Sequence, residues 1–505
     1  MIQRIAAIVR ADVLVRFRRF STLVIFLLLS ASALLWVPDP KTGRTLISIG
    51  GHRALYNSGS IGMATAMLAS IFVGLFGFYV ISNAVRRDVM TRCGFVAAST
   101  EMRTHEYLLG KFLGNVVFLT TFMTGFMLAA MVMLIIRAEA PLQPLVFASQ
   151  YAILIPSTIV FVSVLAILFE SIPWLSGRFG DVVYFFFWAA ALGVVVNSLE
   201  HGGSRWLLYF DFNGFGYLFE FTKNVWHTKN MSIGQTSFDV KQAPVVVQGL
   251  WLNREWFLMR LASTLAPLPL LGIALLFFHR FDPARVRIGG EKGKRSWIGM
   301  LNRMTKPFVR PFTALAMRGG AASDAALTIA STPIIAVTAI AFAIAALAGS
   351  DVSVPAFCAL GIFVADIATR ERRAGTLGFV YSAPKLKSQF VMWKFTSSLI
   401  VALFVMAIPL LRGAPAPSPA RIVAVFFVCA AATSLGVISG NPKTFIVVYL
   451  TLWYVSVSDK GATPSLNFAA FQRVPPSAVV AGYFAASIAL LVAAEGMHRR
   501  ILRRT

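Results

Sequence analysis

About twelve apolar stretches of roughly 16 to 24 residues run through this chain, each long enough to cross a hydrocarbon layer of about 30 Å with modest tilt. They lie near 21–37, 61–84, 113–136, 148–169, 181–198, 256–278, 329–348, 354–369, 396–411, 421–438, 444–457 and 477–496. With 57% of 505 residues hydrophobic and 13% charged, a soluble fold would lack the polar surface to cover its core. A lipid-facing exterior removes that conflict. Lipid offers the backbone no hydrogen-bond partner, so such spans must be α-helical. The expected fold is an all-α integral membrane protein of about 12 transmembrane helices.

The net charge of +25 raises the question of nucleic acid, but the basic residues follow membrane topology and do not gather in one soluble face. Segment 1–20 carries Arg4, Arg10, Arg16, Arg18 and Arg19, the connection 280–325 is dense in Arg and Lys from Arg280 to Arg318, and the tail ends in His498, Arg499, Arg500, Arg503 and Arg504. Twelve spans put all three on one side, which the positive-inside rule makes cytoplasmic, together with both termini. The connection 199–255 then lies outside, where Glu200, Asp211, Glu220, Asp239 and Glu255 balance five basic residues. No nucleic-acid partner is expected. Cys93, Cys358 and Cys429 are scattered and without ligand spacing, which argues against a disulfide framework. Ala31-Ser32-Ala33 loosely fits a signal-peptide cleavage site. The five arginines ahead of the apolar run make too long a leader, so an uncleaved anchor is expected.

Two halves of six spans each enter and leave on the same face, as parallel repeats do. After the second span come Val85-Arg86-Arg87-Asp88 and Gly94-Phe95-Val96, leading to Gly110-Lys111-Phe112. After the eighth come Arg370-Glu371-Arg372-Arg373-Ala374-Gly375-Thr376 and Gly378-Phe379-Val380, leading to Trp393-Lys394-Phe395. Ser176-Gly177 precedes Tyr184 and Trp188 as Ser439-Gly440 precedes Tyr449 and Trp453. Asp211-Phe212-Asn213-Gly214-Phe215 parallels Asn467-Phe468-Ala469-Ala470-Phe471, and His279-Arg280 parallels His498-Arg499. In the N-terminal segment Ile5, Val9, Val13, Phe17 and Phe20 share one helical arc, interrupted by Arg16, which suits an interfacial helix.

Enzymatic motifs do not emerge. The nearest approach to a phosphate-binding loop, 289–295, is one residue short and has Arg295 where a Mg²⁺-binding hydroxyl belongs. His105-Glu106 meets Leu109 where a zinc site needs its second ligand. No catalytic or metal-binding residue and no cofactor is expected in this chain. Asp366, Glu495 and Arg260 lie near the ends of spans, where snorkelling accounts for their charge.

In its basic N-terminal segment, the Arg370–Thr376 stretch followed by Pro384, the Lys-Phe entry to the next span and the long connection between fifth and sixth spans, the chain resembles the permease subunit of type-2 ATP-binding-cassette exporters, with two six-span domains fused. The resemblance implies an elbow helix at 1–20, a first transmembrane domain at 21–280 with its outer loop at 199–255, a cytoplasmic linker at 281–325 and a second domain at 326–505. It further implies a bacterial-type cytoplasmic (inner) membrane location and export driven by soluble ATPase subunits, two per chain, that bind the ATP. Arg86, Arg87 and Asp88 in the first half, and Arg370, Glu371 and Arg372 in the second, would couple to those subunits. The first half departs from the pattern, with Val89-Met90-Thr91-Arg92 where the second has Arg373-Ala374-Gly375-Thr376. A twelve-span ion-coupled carrier is the alternative reading, and a membrane scaffold or membrane-embedded enzyme a further one.

Overall fold

The structure, a computed structural model, describes residues 1–503 except 19, 92, 138, 202–203, 229, 239–241, 279–280, 282–318, 413–418 and 462. Arg19, Arg92, His279, Arg280, Arg504, the stretch 289–295 and most of the linker 281–325 therefore lie outside the described residues. The chain divides into two compact units, Met1–Gly289 and Gly290–Thr505.

In unit 1 the helix α1 (Ile2–Phe17) is bent by 76° from α2 (Phe20–Trp36). It packs along α7 (Thr104–Arg137) because Gly110 and Gly114, one turn apart, leave room for Ile8 and Asp12. The second span begins with α3 (Ser58–Phe72), whose start is fixed by reciprocal capping between Asn57 and Ser60. It continues through a π-helical turn, Val73–Gly77, into α4 (Phe78–Ile81). Asn83 then adopts a left-handed conformation (φ 82°), which ends the span and redirects the chain into the short helices α5 (Ala84–Met90) and α6 (Cys93–Ser99). The helices α8 (Pro144–Ser171), α9 (Arg178–Glu200) and α11 (Arg254–Leu265) with α12 (Pro269–Phe277) complete the unit.

At the end of unit 1 remote from α5 and α6, the all-α pattern is broken by a small antiparallel sheet of order β2-β1-β3, with β1 (Arg44–Ile49), β2 (His52–Arg53) and β3 (Met231–Ser237). It ties the connection after α2 to the long connection after α9, which also holds α10 (Phe215–Val225). Strands are possible there because these segments are not spans, and backbone groups outside lipid need not be satisfied within one helix.

Among the described residues unit 2 begins with α13 (Gly320–Ser331), bent by 87° from α14 (Pro333–Leu347) at Pro333, whose ring forbids a continuous helix. The first half of α13, 320–325, falls in the segment read above as linker, and its second half in the segment read as the second domain. Then follow α15 (Ser353–Val364), the short α16 (Arg370–Ala374), α17 (Leu377–Tyr381) and α18 (Pro384–Ser388), and the long α19 (Phe390–Arg412), α20 (Pro419–Ser439), α21 (Pro442–Ser458) and α22 (Ser477–Leu502).

The chain is thus an essentially all-α, multi-pass membrane protein. Among the described residues eight helices are long and apolar enough to cross a membrane, or ten if each bent pair is one span. The two other apolar stretches, 354–369 and 444–457, fall on α15, of 12 residues, and α21, of 17. A helix of 12 residues is only about 18 Å long.

Inside unit 2 the ring of Tyr449 lies against Gly361 and donates from Oη to the Phe357 carbonyl at 2.6 Å. A Cβ at Gly361 would sit 2.0 Å from Tyr449 Cε1. Gly361→Ala is therefore expected to cost about 1–3 kcal/mol of stability through overpacking, read as a lowered thermal unfolding midpoint in detergent. Gly378→Ala, where nothing lies within 4 Å, is expected to leave it unchanged.

Candidate functional site

Lysine is rarely buried, because removing an ammonium from water is costly unless opposite charge meets it inside. Each unit buries one at the start of a long helix, α7 in unit 1 and α19 in unit 2, and each of these two lysines gathers the same kinds of partner. In unit 1, Lys111 of α7 reaches Asp12 of α1 at 3.0 Å and Asp88 of α5 at 2.8 Å. Asp12 also accepts from Arg87 at 2.5 Å and forms an ion pair with Arg16 at 2.6 Å, so one carboxylate joins three cations. Asp88 lies 3.6 Å from Arg87 and accepts the Tyr107 hydroxyl at 2.8 Å. Arg16 donates to Asn115 at 2.7 Å, which accounts for an arginine on the inward side of an otherwise apolar arc.

In unit 2, Lys394 of α19 is fully buried and reaches Asp324 of α13 at 3.0 Å and Glu371 of α16 at 2.5 Å. Arg370 pairs with Asp324, lies 3.8 Å from Glu371 and donates to Thr328 at 3.0 Å. Thr328 stands four residues after Asp324, the place Arg16 takes after Asp12 in unit 1. Lys394 follows Glu371 by 23 residues, and Lys111 follows Asp88 by the same interval, 111 − 88 = 23. In both units three elements meet at one ion set: a helix sharply bent from the one that follows it (α1 or α13), a short helix (α5 or α16) and the entry to a long helix (α7 or α19).

Of the six residues singled out in the sequence, the structure brings Arg87 and Asp88 into the first set, and Arg370 and Glu371 into the second. Arg86 and Arg372 stay outside. Neither guanidinium has a hydrogen bond or ion pair among the described residues. Each lies instead against a glycine with positive φ at the turn before the next long helix. Arg86 Nη1 is 3.7 Å from where a Cβ on Gly177 would be (φ 132°), and Arg372 Nη1 is 2.6 Å from the corresponding point on Gly440 (φ 65°). The start of α5 is held by Glu170 at the end of α8, whose carboxylate accepts the backbone N–H groups of Asn83, Ala84, Val85 and Arg86. Beyond the ion sets the short helices expose apolar side chains, Val96 at 68% and Phe379 at 84%.

The remaining ionisable residues of the spans have other settings. Arg260 does not snorkel. It is 5% exposed, and its guanidinium donates to the carbonyls of Ile153 at 3.1 Å, Leu154 at 3.1 Å and Asp211 at 2.7 Å, and to the Ser157 hydroxyl. An inward-facing side chain with that many acceptors is better satisfied inside than at the interface. Glu495 pairs with Arg499 one turn on at 2.8 Å. Among the described residues no cluster of three His, Cys, Asp or Glu is placed to hold a metal.

Asp12, Lys111, Asp324 and Lys394 were not candidates in the sequence. The lysines stood in the repeated Lys-Phe pair, and the signal for the aspartates was a lone acid in a short helix ahead of a span. Comparison with protein-family models, with curated proteins and with solved structures finds no match for the chain.

Removing one partner from such a set leaves charge stranded in the interior. Lys394→Met is expected to cost about 3–5 kcal/mol of stability by thermal or denaturant unfolding, and the double change Lys394→Met with Glu371→Leu distinctly less than the sum of the single changes. Burial raises the pKa of Asp12, but Arg16, Lys111 and Arg87 outweigh it and hold the carboxyl below its ordinary value of 3.8. A lowered native pKa contributes stability that is present above the unfolded value and lost as pH falls through the native one. The wild-type protein should therefore lose stability as pH drops below about 4, and Asp12→Asn, less stable at neutral pH, should show a flatter acid limb in the same scan.

Proposed function

We propose that the chain is the membrane-spanning permease component of an ATP-driven exporter, a fused pair of six-span domains that forms the substrate route and couples to separate soluble ATPase subunits. The observation that carries this reading is the recurrence of one ion set at the base of the loop after the second span in each unit, with the same 23-residue interval between acid and lysine. A loop that only needed to be soluble would not require a buried lysine and two carboxylates beneath it. A loop that receives force from a partner and passes it to the helices would, because a set of buried charges resists separation and moves as one body.

On this reading the two units are parallel repeats, with α1 and α13 as paired elbow helices and α15 and α21 as spans eight and eleven of twelve. The arginine-rich ends lie in the cytoplasm and the sheet outside a bacterial-type inner membrane. ATP is bound by the partner, and this chain needs no cofactor or metal of its own. The roles of the six loop residues then divide. Arg87, Asp88, Arg370 and Glu371 face inward and position the loop, while Arg86 and Arg372, together with exposed Val96 and Phe379, face the ATPase. An ion-coupled carrier draws less support. Its relay would call for an ionisable side chain able to exchange partners within a span, whereas Arg260 is engaged by four protein acceptors.

Co-expression with the soluble ATPase of its own transport system tests the proposal. Arg86→Glu with Arg372→Glu is expected to release the ATPase on purification while leaving the unfolding midpoint of the chain unchanged. Full transport by the reconstituted chain alone, driven by a proton gradient, would overturn it.

A further inference from the structure

The 3₁₀ turn Arg205–Phe210 follows α9 and packs against the start of α11. Leu208 points into unit 1 at 3% exposed, but Trp206, Tyr209 and Phe210 point out at 56%, 41% and 48%. A turn in water would expose polar side chains; this one exposes three aromatic rings and one arginine. The turn packs against α11, where Phe257, Leu258, Leu261 and Leu265 recur at helical spacing and are each about half exposed. These side chains belong to Arg254–Phe277, α11 with α12, which is long and apolar enough to cross the membrane.

We infer that the segment Arg205–Phe210 lies in the lipid headgroup layer and anchors the long connection after α9 to the bilayer surface. The depth follows from two opposed requirements. Trp and Tyr have an apolar body and a polar N–H or O–H, and they gather where hydrocarbon meets water. The irregular backbone on either side of the turn and the ion pair Arg205–Glu255, 3.3 Å apart with both side chains about half exposed, are not tolerated in hydrocarbon. The headgroup layer satisfies both.

The anchor is fastened to the helices beneath it. The Trp206 ring meets Phe210 edge-on at 5.7 Å, Phe210 meets Phe212 at 6.4 Å, and Phe212 stacks on Phe161 of α8 at 4.3 Å. The backbone of the same turn is held by Arg260, which takes the Asp211 carbonyl, and by Ser157 and Thr158, which donate to the Phe212 carbonyl at 3.0 and 2.8 Å. Displacement of the surface segment is therefore displacement of α8 and α11. The inference does not depend on the proposed function, since it concerns the membrane interface whatever passes through the protein.

The test places a nitroxide on Trp206→Cys, with exposed Cys93 changed to Ser and the two other cysteines left because both are buried. The labelled full chain goes into phosphatidylethanolamine–phosphatidylglycerol nanodiscs, and collision with oxygen and with a neutral nickel chelate is compared with a label on Ser237→Cys, an exposed position of β3. The label at 206 is expected to meet oxygen freely and the nickel chelate several-fold less often than the label at 237. Equal nickel access at the two sites would mean a hydrated turn, and exclusion of both reagents at 206 would mean a protein cover; either result overturns the inference. Tyr209→Cys repeats the measurement should Trp206→Cys fail to fold.

Discussion

A lysine ammonium with no water around it must find negative charge, and in this protein that necessity joins parts of the chain that are distant in sequence. Lys394 satisfies it with Asp324 and Glu371, Lys111 with Asp12 and Asp88. In each case the lysine comes from a long helix, one acid from the helix sharply bent from its successor and the other acid from a short helix, α5 or α16. None of the three can drift away without stranding a charge in a medium that does not solvate it. The arginine preceding the loop acid completes each set, so the loop is held from beneath by two cations and not by its own turn geometry.

The two sets share a plan but not every contact. Unit 1 adds Arg16 and the Glu170 cap over the start of α5, while unit 2 has neutral Thr328 in place of Arg16 and leaves more of its short helices exposed. At the other end of each unit the pattern recurs. Asp211 and Asn467 each bind backbone N–H groups of a turn whose third following residue, Gly214 or Ala470, has positive φ. In unit 1 that turn is further held by the buried Arg260 and carries the aromatic segment and the sheet. Under the proposed reading, unit 1 is the stiffer half, with its loop capped and its outer turn locked, and unit 2 presents the more exposed docking residue in Phe379.

Much of the architecture was legible from hydrophobic length alone, because lipid forces helices on any span and twenty apolar residues leave few other options. The recurrence of Ser-Gly with a later Tyr was legible as spacing, and its physical content is that Tyr184 donates to the Gly74 carbonyl and Tyr449 to the Phe357 carbonyl of α15. The ion sets were half legible. Arg87, Asp88, Arg370 and Glu371 stood out as mixed charge in a repeated loop, but nothing local pairs Asp12 with Arg87, 75 residues away, or Asp324 with Lys394, 70 away. The elbow-like α13 was hidden because its sequence, rich in Ala and small residues, follows a basic segment and carries too short an apolar run to register as a span. The sheet was missed because its strands are brief and its two halves come from different connections.

On the proposed reading, one chain contains both halves of a permease and therefore recruits two ATPase subunits by itself. Native mass spectrometry of the complex released from membranes with its co-expressed ATPase measures this directly. The prediction is a single copy of this chain carrying two ATPase subunits, with loss of both when Arg86 and Arg372 are reversed in charge. A chain that appears only alone, or two copies of the chain sharing two ATPase subunits, would contradict it.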